Sequence, residues 1–265
     1  MKTILITGST DGIGKLTAAK LAQRGYQIIV HGRNSEKLKN TIVEIKENTS
    51  NDRVYGFVSD LSDFNSINEM IGEISNEFSS IDILINNAGV FKSKIDRNQD
   101  NFDIRFVVNY FAPYLLTNGL LPIIQNSIFP RIINLSSAAQ STVSIEALKG
   151  QETISSQDAY AQSKLALTMW SFAFAKEHSS ITTIAVNPGS LLNTKMVKEA
   201  FGQHWDSADK GADILVELAV LDKYTESNGE YFDNDRGAFS NAHNDAYKQK
   251  KIDQLISETE KILKS

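Results

Sequence analysis

Short apolar runs rich in β-branched residues recur along the chain at 3–7, 26–30, 54–58, 81–85, 131–135, 182–186 and 230–232. Such runs predict strands buried on both faces, because a half-solvated strand would alternate apolar with polar residues. Between them apolar positions repeat at helical spacing, predicting helices over 13–24, 35–48, 63–78, 101–118, 158–178, 208–221 and 245–263. The last carries the clearest stripe: Ile252, Leu255, Ile256, Ile262 and Leu263 share one side, with Lys248, Lys251 and Glu258 elsewhere. Strands alternating with helices imply a parallel sheet covered on both faces, and right-handed crossovers make it doubly wound. The predicted fold is α/β, a seven-stranded parallel sheet in a single domain spanning 1–265.

Composition narrows the chemistry. With 265 residues, 41% of them hydrophobic, the chain can bury one large core, and no repeat, low-complexity tract or linker divides it. The absence of cysteine excludes disulfides, thiolate zinc sites, iron–sulfur clusters and cysteine nucleophiles. Lys and Arg number 27 against 32 Asp and Glu, a net charge of −5, which argues against a nucleic-acid partner held by a general basic surface. The four histidines, His31, His178, His204 and His243, are scattered without ligand spacing, so no metal site is predicted. The first eight residues hold too short an apolar core for a signal peptide. Residues 106–130 are uncharged, yet Asn109, Pro113, Asn118, Gly119, Pro122, Gln125 and Asn126 break them too often for a lipid-facing helix. A buried or subunit-facing helix is expected there, in a soluble, cytoplasmic protein with no membrane span.

The first strand runs into Thr7-Gly8-Ser9-Thr10-Asp11-Gly12-Ile13-Gly14, and a helix follows at once. Glycines in that position let backbone amides approach a pyrophosphate, and the helix amino terminus adds partial positive charge, so a Rossmann-type dinucleotide site is predicted. Turns also need glycine for conformational reasons alone; the strand-to-helix context favours the nucleotide reading. After the second strand the chain reads His31-Gly32-Arg33-Asn34, with no acid before Glu36. A carboxylate there would hold the ribose hydroxyls of NAD(H), whereas Arg suits a 2′-phosphate. Arg33 is therefore the expected phosphate clamp and NADP(H) the preferred cofactor, although Asp11 within the glycine loop gives a phosphate no help.

Tyr160 and Lys164 lie four apart on one predicted helix and so can share a site. A nearby cation favours phenolate and would bring a tyrosine closer to acid–base work. The strand at 131–135 ends in Ser136-Ser137, at the carboxyl edge where open α/β sheets bind ligands. Neighbouring side chains on a strand point opposite ways, so only one of the two serines would serve.

Together these motifs resemble the short-chain dehydrogenase/reductase family, and the likeness covers nearly the whole chain. It rests on TGSTDGIG at 7–14, Asp60-Leu61, Asn86-Asn87-Ala88-Gly89, Asn109, Ser136-Ser137, Tyr160 to Lys164 and Asn187-Pro188-Gly189, all in the family's order. The resemblance implies that Ser137 polarises a substrate carbonyl and Tyr160 gives or takes the hydroxyl proton. Lys164 would bind the nicotinamide ribose and lower the Tyr160 pKa, and Asn109 would hold a water of a proton relay. Asp60 and Leu61 would meet the adenine, Asn87, Ala88 and Gly89 its ribose, and Pro188 and Gly189 the nicotinamide. A following Thr would bind the carboxamide. Thr194 stands one position later than the usual spacing, with Asn193 in the expected place, so that contact is open between them.

Ser137 and Tyr160 are 23 positions apart, more than in many family members, so about 140–156 is expected to form an inserted loop at the substrate mouth. That loop and the Gly-Arg-Asn after the second strand are similar to retinol-dehydrogenase-like and WW-domain-oxidoreductase-like members, a pointer to apolar substrates. Residues 190–207, with Met196, Phe201 and Trp205, could close over substrate as a lid or pack in the core. In this family the uncharged helix from Phe106 would face a partner subunit, so a homodimer is expected. The predicted activity is NADP(H)-dependent interconversion of a carbonyl and an alcohol. The alternatives are a catalytically idle nucleotide sensor, or a nucleotide-sugar epimerase or dehydratase relative.

Overall fold

The computed structural model describes residues 1–194, 197–198 and 206–264. All seven predicted strands form: β1 (Thr3–Ile6), β2 (Gln27–Gly32), β3 (Val54–Val58), β4 (Ile83–Asn86), β5 (Arg131–Leu135), β6 (Thr182–Asn187) and β7 (Glu230–Asp233). They run parallel in the order β3-β2-β1-β4-β5-β6-β7. An eighth strand, β8 (Ala238–Phe239), lies antiparallel on the β7 edge and corrects the seven-strand expectation. Two residues are too few to leave a periodic signal. The sheet order turns at β1, whose neighbours are β2 on one side and β4 on the other; the crevice above such a reversal is where α/β sheets bind ligands.

Alternation along the strands divides the core. Ile4 and Ile6 of β1 face one layer with α1 (Gly12–Gln23) and α2 (Ser35–Thr49), while Leu5 faces the other with α3 (Phe64–Glu77) and α4 (Ile104–Ile124). The long helix α5 (Ser156–Glu177) joins the second layer, and α6 (Ala208–Val220) packs beside α1 in the first.

Helix α4 begins later and runs further than 101–118, through Pro122 in its final turn. Its ladder widens to a π-turn over Val107–Phe111. Pro113 has no N–H to give the carbonyl four residues back, at Asn109, so the ordinary bond cannot form there. Phe106, Val107, Tyr110, Phe111, Leu116, Leu120 and Ile124 are buried within the chain. The carboxyl-terminal helix α7 (Gln249–Lys264) reaches this layer, where the Tyr110 hydroxyl meets Thr259 Oγ1 at 2.8 Å. Intrachain packing thus buries one side of this helix, while Val108, Tyr114, Leu115, Leu121 and Ile123 stay partly exposed.

The inserted loop is packed. Ser144 caps a single helical turn at Ile145–Leu148, and the Arg97 guanidinium donates to Asn101 O at 2.6 Å, Gly150 O at 2.8 Å and Thr153 Oγ1 at 2.9 Å. Half of the stretch expected to form a lid, including Met196, Phe201 and Trp205, lies outside the described residues. The two ends of that stretch are tied where Asn193 N–H donates to Asp206 O at 2.8 Å.

Candidate active site

The glycine loop is a steric necessity of the β1–α1 turn. Gly8 has φ +62°, and a Cβ there would lie 2.9 Å from Ala88 Cα. A Cβ on Gly14 would stand 2.3 Å from Asn87 Nδ2 and 2.6 Å from Gly8 O. The Asn87 amide donates to Thr7 O at 2.7 Å and Gly8 O at 3.1 Å, and Ala88 N–H donates to Thr7 Oγ1 at 3.0 Å. The turn after β4 and the turn after β1 are therefore one unit. Beneath them His31 is buried and accepts the Gly8 N–H at Nδ1, 3.0 Å away.

Above this unit opens a cleft of about 530 Å³, within the range of cofactor sites. Gly8, Thr10, Gly12, Ile13 and Gly14 form its floor, with Arg33, Asp60 and Leu61 at one end. Asn87, Ala88 and Gly89 line the middle, and Pro188, Gly189 and Thr194 the far wall. Thr194 lines the cleft whereas Asn193 does not, which separates the two candidates for the carboxamide contact by position. Glycines packed too closely for side chains and a cleft lined by the turns after β1, β2, β3, β4, β5 and β6 fit a dinucleotide.

Ser137, Tyr160 and Lys164 meet at the cleft's other end. The two serines divide as strand alternation requires. Ser136 is buried and bonds Thr168 Oγ1 at 2.7 Å and Lys164 O at 3.1 Å, so it fastens α5 to β5. Ser137 instead faces the cleft beside Tyr160, and its Oγ accepts the Ala139 N–H at 3.1 Å. Burial pushes the Tyr160 phenol above its ordinary value, and the neighbouring Ser137 hydroxyl draws it partly back. Burial brings the Lys164 ammonium down to about 7, and its Nζ donates to Leu135 O at 2.6 Å. Nζ lies 5.6 Å from the centre of the Tyr160 ring, and the Phe91 ring packs edge-on against the same tyrosine at 5.0 Å.

Three expected site residues stand outside the cleft lining. Ser9 is buried beneath the loop, donating to Ile6 O at 2.7 Å and accepting the His31 N–H at 2.9 Å. Asn34 caps α2 by accepting the Lys37 N–H at 2.8 Å. Asn109 is buried, accepting the Val90 N–H at 2.7 Å and donating to Val90 O at 3.0 Å and Ser163 Oγ at 2.9 Å. Its side chain holds the wall beside Phe91. Residues that the sequence reading left out are His31, Lys37, Phe91 and a pair on the Ser137 carbonyl: Tyr231 Oη donates there at 3.0 Å and Gln140 Nε2 at 2.8 Å.

A glycine-loop cleft with a Ser–Tyr–Lys group at its far end defines a dinucleotide-dependent oxidoreductase. The family profile described as short chain dehydrogenase matches residues 2–205, and the chain belongs to that family. Human polyprenol dehydrogenase is 32% identical over 279 residues, 97% of this chain and 84% of the relative. Human retinol dehydrogenase 13 is 34% identical over 251 residues, 88% of this chain and 76% of the relative. A short-chain dehydrogenase from Escherichia coli CFT073, solved in complex with NADPH, superposes with a TM-score of 0.72 at 25% identity, covering 88% of this chain and 96% of that one.

Proposed function

We propose that the protein interconverts a carbonyl compound and its alcohol with NADP(H), using Tyr160 as general acid and base. The observation that carries this reading is the meeting of Ser137, Tyr160 and Lys164 at one end of a cleft whose other end is the glycine loop. The nicotinamide, when bound, supplies or accepts the hydride at the substrate carbon. In the reducing direction the Tyr160 hydroxyl hands its proton to the carbonyl oxygen, and the Ser137 hydroxyl donates to that oxygen as negative charge grows on it. In the oxidising direction the same phenolic oxygen takes the alcohol proton. Lys164, charged, steadies the phenolate and offers its N–H to a ribose hydroxyl.

Phe91, Ile95, Ile104, Val108, Leu192 and Val197 line the cleft and favour an apolar substrate body. The polyprenol and retinol relatives bear names of the same chemical character. Arg33 at the cleft's end and the absence of an acid between it and Glu36 support NADP(H) over NAD(H), as does the Escherichia coli relative solved with NADPH.

Calorimetric titration with each reduced cofactor, followed by a panel of apolar aldehydes and ketones, tests the reading. NADPH should bind at least ~tenfold tighter than NADH, about 1.4 kcal/mol, and drive turnover of apolar carbonyls. Equal binding, or no turnover of any panel member, contradicts it.

A further inference from the structure

We propose that Arg105 is a positioning residue: it fixes the Phe91 wall against Tyr160 and so sets how bulky a carbonyl compound the site admits. The inference rests on the carbonyl–alcohol reading above and deepens it.

Arg105 lies in the first turn of α4, and its side chain is only 3% exposed. A guanidinium taken out of water needs its charge balanced and its N–H groups filled. Asp103, 15% exposed, balances the charge: it caps α4 by accepting the Arg105 N–H at 2.8 Å and pairs with Nη1 at 3.1 Å. Asp96 meets Nη2 at 3.1 Å, but it is 81% exposed, so solvent screens that pair. The remaining bonds go to neutral acceptors. Nε donates to Phe91 O at 3.0 Å, and Nη2 donates to Ser156 Oγ at 2.7 Å.

These two neutral bonds join the two sides of the catalytic tyrosine. Ser156 opens α5 one turn before Tyr160, and the Phe91 ring packs edge-on against the Tyr160 ring at 5.0 Å. Asn109, four residues further along α4, makes a second bridge of the same kind. It holds both backbone groups of Val90 and donates to Ser163 Oγ at 2.9 Å. Residues 156, 160 and 163 are spaced four and three apart and share one face of α5, so Tyr160 lies between the bridges.

Val90 and Phe91 are consecutive, so the backbone that carries the Phe91 ring is tied at both residues. Phe91 lines the cleft together with Tyr160, so bulk beside the substrate carbonyl meets that ring. A loosely held loop would yield to it; one tied through Arg105 does not. The residue type matters, because the planar fork of arginine reaches Phe91 O and Ser156 Oγ while it faces Asp103, whereas lysine offers a single nitrogen.

Substrate selectivity tests this, because a ratio between two substrates is insensitive to any loss of folded protein. The full-length protein is assayed with NADPH on hexanal and on the bulkier cyclohexanecarbaldehyde, and the ratio of their kcat/KM values is read. Phe91→Ala should lower the preference for hexanal by about tenfold or more. Arg105→Lys keeps a cation for Asp103 and should lower it by roughly threefold, with NADPH affinity unchanged. Ser156→Ala leaves Arg105 its carboxylates and should move the ratio in the same direction. An unchanged ratio in either Arg105→Lys or Ser156→Ala, while Phe91→Ala shifts it, overturns the role of Arg105 and leaves the activity reading standing. A wild-type ratio in Phe91→Ala overturns the proposal too, because Phe91 would then not bound the substrate. Absence of NADPH-driven turnover in the wild type overturns the activity reading and the proposal with it.

Discussion

His31 holds Gly8. Its Nδ1 accepts the glycine N–H at 3.0 Å, so the ring proton sits on Nε2, which donates to Ser59 O at 3.0 Å. A buried imidazole with both nitrogens engaged in this way ties β2 and the turn after β3 to the phosphate loop. Only the neutral ring can do so, because protonated Nδ1 would oppose the Gly8 N–H, and burial lowers the His31 pKa to about 4.

Acid destabilisation should therefore begin earlier than carboxylates alone would cause. Between about pH 6.5 and 4 the unfolded chain binds a proton that native His31 refuses, so stability falls as pH falls through that window. The loss is on the order of 3 kcal/mol and is complete below the native value. Urea unfolding at neutral pH and near pH 4.5 should show a smaller difference for His31→Asn than for the wild type. Equal differences would deny His31 this role.

Cofactor binding should draw a proton into the site above neutrality. Lys164, lowered to about 7 by burial, is largely neutral at pH 8 in the empty cleft, whereas its partners in the proposed reaction favour the ammonium. Titration calorimetry in buffers of different ionisation enthalpy should report proton uptake at pH 8, little at pH 6, and none with Lys164→Met. A binding enthalpy independent of buffer at pH 8 would show that Lys164 does not change charge.

The carbonyl of Ser137 is held from two sides, by Tyr231 and Gln140. Burial raises the Tyr231 phenol well above its ordinary range, so it remains a donor at working pH. Tyr231→Phe should cost about 1 kcal/mol of stability and lower kcat by roughly tenfold through a misplaced Ser137 hydroxyl. KM for cofactor should be unchanged, since neither side chain lines the glycine-loop end. An unchanged kcat would reduce this bond to packing.

Much of this arrangement is legible in the chain. The parallel strands announce themselves as apolar, β-branched runs, wholly buried in β1, β4, β5 and β6 and partly exposed in the edge strand β3, and the glycine loop because Gly8 and Gly14 leave no room for a Cβ. Ser137, Tyr160 and Lys164 are recoverable from motif spacing. What escapes are pairings between distant positions. His31 reads as one scattered histidine until Gly8 lies above it, and Lys37 as one charge on a solvated helix until Asp11 faces it. Asn109 sits at its motif position, but its partners are Val90 and Ser163, 19 and 54 residues away. Pro113 marks the local cause of the π-turn, yet helical periodicity alone does not report it. Strand β8 is too short for any pattern.

The central claim is that the Tyr160 hydroxyl carries the proton of the reaction. Tyr160→Phe removes one oxygen and leaves the ring that packs on Phe91, so fold and cofactor binding should persist. The decisive measurement is turnover of an accepted carbonyl substrate by this variant beside its NADPH affinity. The account predicts affinity within about threefold of wild type and kcat lower by ~10³ or more. Wild-type turnover in Tyr160→Phe would contradict it and move the acid–base role to another group.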